Sequence, residues 1–407
     1  MPSRNTLLFG IVLVSILACP TVCFAQSTPN QINPGNATGL QPYNAYGGVR
    51  ENINLATGNA NLQIPLLNLP GRKGQDLSLG LEYDSKIWQL HDENDPFYGL
   101  LYLWDNELRN PAVGGMGWRL NIPTLDANDN LFRYRGTNPE TCTNFIVTLS
   151  DGSKHAFPNQ VYCHHFTTVG GQQVLVWDAQ DDINIGVSQD ASYLLLDTTN
   201  RSDIVLHTKD GTRIHFPWNG MSGAYAPASS ITDANGNLIT FPTPGVTDTV
   251  GRTVSVNYAC PGGISYKDSN GQTQTISWTC ANITINPTLS PNNGTNGPGP
   301  VSMLSAVTLP NGLTYSFQYN TYGELTKISY PTGGYTRYDY GSFTNYWAMW
   351  RDPASIAATF REVTARYVCR AATGACSPTT TPEDVTSYTP TVDGTKTNNQ
   401  YMVCAIL

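Results

Sequence analysis

Asp210-Gly211-Thr212-Arg213-Ile214-His215-Phe216 is the stretch on which the fold turns. A turn dipeptide opens it, a short alternating run follows, and a large apolar side chain stands at the fifth residue after the glycine. The same outline runs from Gly152 to Phe157, Gly236 to Phe241, Gly271 to Ile276 and Gly312 to Phe317, each glycine following Asn or Asp. Glycine accepts the positive φ of a hairpin turn and Asn or Asp tolerates it, while the fixed spacing sets which face of the outgoing strand carries the anchor. One such turn is common; a series with a matched anchor predicts repeated β-hairpins that bury their faces by stacking.

Composition agrees with strands. Charged residues make up 13% of the 407 residues, against 37 Gly, 27 Pro and 22 Tyr, and no long helical periodicity is present. Such usage suits short strands joined by tight turns. The 40% hydrophobic content supports a sizeable core, so disorder throughout is excluded. A net charge of -8 leaves no basic face for a phosphate backbone, and nucleic acid is not expected as a partner.

The N-terminus fixes the compartment. Arg4 precedes an apolar run from Leu7 to Leu17, and Cys23-Phe24-Ala25 places small residues just before Gln26, as in a cleaved signal peptide spanning 1–25. Ile16-Leu17-Ala18-Cys19 also reads as a lipobox, which would make Cys19 a lipidated N-terminus. The apolar run is shorter than the roughly 20 residues a membrane helix needs, so no transmembrane anchor is expected and the product is secreted or held at the cell surface. Beyond the signal peptide seven cysteines remain. In an oxidising compartment the simplest pairing joins Cys142 with Cys163, Cys260 with Cys280 and Cys369 with Cys376, leaving Cys404 over. Cys163-His164-His165 lacks the spacing of a structural zinc site, so neither a metal nor another cofactor is expected.

Organisation follows from composition shifts. Residues 26–51 read as a flexible leader, 52–285 as a β-rich region, 286–300 as an Asn/Gly/Pro linker, 301–341 as repeats and 342–407 as a Thr-rich, truncated tail. Within the β-rich region, 60–66 and 76–83 alternate apolar with polar residues, the period of half-buried strands joined by the turn at 69–74.

The longest signature is Tyr319-Asn320-Thr321-Tyr322-Gly323-Glu324-Leu325, continuing through Gly333 to Tyr338-Asp339-Tyr340-Gly341. It resembles the tyrosine-aspartate (YD) repeat of the Rhs family. Tyr319, Gly323, Leu325, Gly333, Tyr338 and Asp339 occupy the repeat positions, whereas Asn320 and Glu324 replace the usual Asp and Arg, which weakens any cross-strand ion pair but keeps the hairpin. Upstream pieces such as Gly117-Trp118-Arg119-Leu120 and Asp248-Thr249-Val250-Gly251-Arg252 resemble the region that precedes such repeats, so the likeness covers about 52–340. The resemblance implies an all-β fold, a partial YD-repeat shell with disordered leader and tail. It implies a non-catalytic scaffold whose partner is the remaining Rhs shell or a toxin component. No Asp-Pro-x-Gly self-cleavage segment follows the repeats.

Two other functional classes compete. Asp92-Glu93-Asn94-Asp95 and Trp104-Asp105-Asn106-Glu107 hold carboxylates that a glycoside hydrolase could use, but acids among Asn and Gly read better as solvated loops. His155, His164, His165 and His215 have neither a Gly-x-Ser-x-Gly elbow nor a His-Glu-x-x-His run to serve, and read as ordinary strand or loop residues. A carbohydrate-binding module or adhesin is the alternative: Trp347 and Trp350, in Tyr346-Trp347-Ala348-Met349-Trp350, would form its platform for a surface glycan, against the reading that they pack in the core.

Overall fold

The computed structural model describes residues 44–46, 49–55, 57–95, 99–106, 113–135, 138–169, 172–177, 185–188, 190–200, 202–218, 225–242, 244–290, 294–295, 299–347, 356–370, 376, 383–391 and 402–405. Within these, side chains are described at 49–55, 57–88, 113–126, 145–157, 185–188, 190–200, 202–218, 225–242, 244–290, 299–344, 359–370, 376 and 383–389. The signal peptide, Trp350 and Cys19 lie outside the described residues, as do the side chains of Trp347, Cys142, Cys163 and Cys404 and of the acids in strands Trp88–Asp95 and Gly99–Asn106.

Strands in sequence order build a 17-stranded sheet among the described residues, running from Ile185–Val187 to Met402–Ala405. Each of its pairings is antiparallel. Burial alternates along its strands, as in Asp203–His207, Thr253–Asn257 and Thr314–Tyr319, so one face is packed and the other wet. The four anchors Phe157, Phe216, Ile276 and Phe317 are buried, and Phe241 packs half-buried on the same core.

The hairpin turns share one chemistry. At Gly211, Gly236, Gly251, Gly271, Gly312, Gly323 and Gly333 the glycine N–H donates to the carbonyl three residues back, and that same earlier residue donates its N–H to the carbonyl just past the glycine. This is a tight turn closed by a left-handed residue, not the two-residue turn in which both central positions need positive φ. Accordingly the positive φ falls on the turn glycine, joined at Gly333 by Gly334, and the residue before each turn glycine lies outside that region. The side-chain oxygen has another task. Asp233, Asp248, Asp268 and Asn320 each open a turn and accept two backbone N–H groups, whereas Asp210 and Asn311 sit beside the glycine and accept one. Gly271 isolates the backbone requirement, because φ is 74° there and an added β-carbon meets nothing within 4 Å. Gly271→Ala is therefore expected to lower stability by about 1–2 kcal/mol through φ alone, read as a shift in the urea midpoint with the slope unchanged.

A second, five-stranded sheet comes from the N-terminal part: Asn44–Tyr46, Val49–Asn54, Asn59–Leu69, Leu77–Asp84 and Trp118–Leu120. The alternation there predicts half-buried strands, yet Asn59–Leu69 and Leu77–Asp84 are buried on both faces over most of their length. The reason is tertiary: the apolar face shares one core with the packed face of the long sheet, and on the other face Ser150, Arg119 and Lys154 reach Gln63, Glu82 and Asp84. Ring contacts mark the junction, with Trp118 5.0 Å from Tyr83 and 4.8 Å from Phe317 between centroids. Strands also fall inside segments read as leader and tail, at Asn44–Tyr46, Val49–Asn54, Ile356–Cys369, Asp384–Thr391 and Met402–Ala405. Each is paired to a neighbouring strand, which satisfies backbone groups that composition alone leaves unassigned. Cys260–Cys280 and Cys369–Cys376 are disulfides. Cys163 stands opposite Cys142 in the backbone register.

Candidate functional site

The repeat residues meet the N-terminal sheet at one seam. The Tyr319 hydroxyl donates to the Leu304 carbonyl at 2.6 Å and accepts from Trp118 Nε1 at 2.8 Å. Burial pushes its ionisation far above the ordinary tyrosine value, so it is a neutral hydrogen-bonding post. The Leu325 side chain is fully buried, and its N–H donates to the Tyr83 hydroxyl at 2.8 Å. Gly323 packs under Met116 and Ile87, where a side chain would have to displace them. Tyr338 is buried, while Asp339 is exposed and accepts from the Tyr367 hydroxyl at 2.8 Å. The motif thus splits by role: Tyr319 holds the seam, Tyr338 is buried in the core and Asp339 faces water.

Glu324, where the repeat usually has Arg, is compensated from afar. Arg361 grips it with Nε at 3.0 Å and Nη2 at 2.7 Å, and the Asn320 amide donates to it at 2.7 Å. The ion pair expected to weaken is replaced by one with a residue 37 positions away. Such bidentate contacts fix geometry as well as charge.

Further charges of the N-terminal sheet are paired. Arg366 holds Glu51 at 2.5 and 2.6 Å, Lys154 holds Asp84 at 2.8 Å, and Arg119 pairs with Glu82. Lys86 donates to the Arg361 carbonyl at 2.5 Å. Burial lowers its amine below the ordinary lysine value, against the pull of Glu362, Glu324 and Asp84. Burial likewise raises the Glu362 carboxyl, with Lys86 opposing. Buried charges of this kind are costly unless each keeps its partner.

One cluster has the atoms of a catalytic relay. His155 Nδ1 lies 2.5 Å from Asp190 Oδ2 and its Nε2 lies 2.9 Å from Ser153 Oγ. Ser153 is fully buried and its hydroxyl donates to Asp151 Oδ1 at 2.6 Å. The arrangement acts instead as a clip. It ties residues 190–194, where Ala191 and Tyr193 hold positive φ at 59° and 58°, to strand Lys154–Val169. Strain of about 1–2 kcal/mol per residue needs such an anchor. Sequence reasoning read His155 as an ordinary strand residue; its acid is 35 positions on, beyond any local signal.

The clip carries a pH dependence. Burial works to raise the Asp190 carboxyl, but hydrogen bonds from Ser192 and the His155 ring outweigh it and hold it below the ordinary carboxylate range. A carboxyl depressed by folding adds stability above its unfolded value of about 3.9, and that stability is lost as pH falls through the folded value. Asp190→Asn is expected to flatten this acid limb of a stability-against-pH curve from urea melts and to cost about 1–3 kcal/mol at neutral pH.

His215 is paired with Asp203 at 3.0 Å on the half-exposed face. Among the described residues no group of three His, Cys, Asp or Glu could hold a metal ion, and no helix is long and apolar enough to cross a membrane.

The RHS repeat family matches residues 303–335, the strands that carry Tyr319, Gly323, Leu325 and Gly333. No curated protein matches the chain. Among solved structures, a porin-like protein from Bacteroides uniformis is similar at 12% identity and a TM-score of 0.23, over 60% of this chain and 97% of that one, a likeness that carries no argument.

Proposed function

On the premise that this chain is an Rhs/YD-repeat protein, with one repeat matched at residues 303–335, we propose that it is an exported, non-catalytic interaction scaffold of the toxin-delivery or cell-surface contact type. The observation that carries this reading is how the repeat is used: its Tyr319 bonds the long sheet to the chain's own N-terminal sheet. The packed face of the long sheet is occupied by that sheet, which favours action by contact with a partner over enclosure. The partner is the remaining Rhs-type shell or a toxin component. Two disulfides support an oxidising compartment.

Co-expression with the neighbouring Rhs-type product tests the partner: recovery of both on one affinity tag is the expected result, and a chain purified alone counts against it. Export is tested separately by N-terminal sequencing of the mature product: Gln26 first is the expected result, a blocked, lipidated Cys19 would mean export to the cell surface instead, and an unprocessed Met1 counts against export.

A further inference from the structure

Three hairpin turns set an asparagine directly before the left-handed glycine: Asn235-Gly236, Asn270-Gly271 and Asn311-Gly312 are the Asn–Gly pairs of which both residues are described. All three asparagines are exposed, and an added β-carbon at each of the glycines meets nothing within 4 Å, so solvent reaches every pair. The backbone is held alike in each, with the glycine N–H donating to the carbonyl three residues back at 2.9–3.0 Å. Such a pair is a latent reactive group. The asparagine amide carbon can close a small ring on the next backbone nitrogen, and glycine has no β-carbon to hinder the approach.

What differs is the tether on the side chain. Asn311 Oδ1 accepts the Leu313 N–H at 3.0 Å. Asn235 Nδ2 donates to Asp233 Oδ2 at 3.4 Å, across a turn that Asp233 opens. Asn270 stands at the matching place of the turn that Asp268 opens, but there Oδ2 of the aspartate is taken by Gln274 Nε2 at 2.8 Å. Only the backbone N–H of Asn270 is engaged, by Asp268 Oδ1 at 2.9 Å, and its side chain makes no hydrogen bond among the described residues. The position equivalent to Gln274 is Ile239 in the other turn, which offers no competing donor.

We propose that Asn270 is a site of self-modification, converting to aspartate and isoaspartate ahead of Asn235 and Asn311. The Gly271 nitrogen attacks Cγ of Asn270, and Nδ2 departs as ammonia with the proton from Gly271, leaving a cyclic imide. Water then opens the imide at either carbonyl, giving aspartate or isoaspartate at 270. Both products add one negative charge to the net -8 and place it beside Asp268. The isoaspartate form also runs the main chain through an extra methylene, which lengthens the turn between strands Gly262–Lys267 and Thr273–Ile285. The Cys260–Cys280 disulfide closes this hairpin at its other end, so the change is confined to the tip. The inference is independent of the scaffold reading, since turn chemistry alone carries it.

The full chain is aged at mildly alkaline pH, reduced and digested with chymotrypsin, and the amide-to-acid mass gain is located by tandem mass spectrometry. Each site's rate is divided by the rate of the same site in the urea-unfolded chain, which removes the effect of local sequence. On that scale Asn270 is expected to react about three-fold or more faster than Asn235 and Asn311, roughly the factor that one weak hydrogen bond supplies. Q274M keeps the length of the side chain, deletes the donor and frees Asp268 Oδ2 for Asn270, so the Asn270 rate should fall towards that of Asn235. The wild-type ranking needs no variant and stands as a test if Q274M disturbs the fold. Equal normalised rates at the three sites, a faster reaction at Asn235 or Asn311, or no gain at Asn270 in the folded chain while the unfolded chain reacts would overturn the proposal. An Asn270 rate unchanged in a folded Q274M would overturn the part assigned to Gln274.

Discussion

Trp118→Ala should lower stability by about 3–5 kcal/mol. Trp118 is fully buried and belongs to the N-terminal sheet, yet its ring meets Phe317 and its Nε1 donates to Tyr319, both in the long sheet. Truncation opens a cavity at the junction and takes away a hydrogen bond from the Tyr319 hydroxyl, which would still donate to Leu304. Trp118→Phe separates the two terms: it keeps most of the ring and lacks the N–H, so a loss near 1 kcal/mol is expected from the hydrogen bond. Urea unfolding followed by far-UV circular dichroism measures both. If the two sheets unfold as one unit, a single transition moves; if Trp118→Ala splits the transition, the N-terminal sheet is a separable body. Equal, small losses from both variants would mean that the junction is held elsewhere.

The hairpins and the junction differ in how far the sequence discloses them. A glycine in the left-handed region is a local requirement, met within five residues, so Gly211, Gly236, Gly271 and Gly312 could be read directly and their anchors with them. The division of labour inside each turn could not, because whether Asp or Asn opens the turn or sits beside the glycine changes its hydrogen bonds but not the visible pattern. The N-terminal strands were legible as strands and misleading about depth. Gln63, Glu82 and Asp84 look like the wet side of an alternation, and they are buried because Ser150, Arg119 and Lys154 reach them from elsewhere. Partners so distant leave no period in the sequence. The repeat shows the same limit: Glu324 reads as a defect until Arg361 is seen to hold it. The 155–190 clip was invisible for this reason.

Those polar burials make a second prediction that separates partnership from charge. Glu82 and Arg119 stand opposite each other in register, each with a side chain 4% exposed, and Arg119 also donates to Thr124 Oγ1 at 3.1 Å. Glu82→Ala leaves a guanidinium buried without its carboxylate, and about 3–5 kcal/mol should be lost. Replacing both with apolar residues of similar size, Glu82→Leu with Arg119→Met, removes the charges together and should recover most of that loss, since a buried pair can be exchanged for good packing at little net cost. The double-mutant cycle in urea therefore yields a large coupling energy. A double variant as unstable as the single one would show that the Arg119 contacts to Thr124 and the Ile122 carbonyl, and not the pairing with Glu82, hold strand Trp118–Leu120 in place. In that event the loss should be reproduced by Thr124→Val, which keeps the shape and deletes only the hydroxyl that accepts from Arg119.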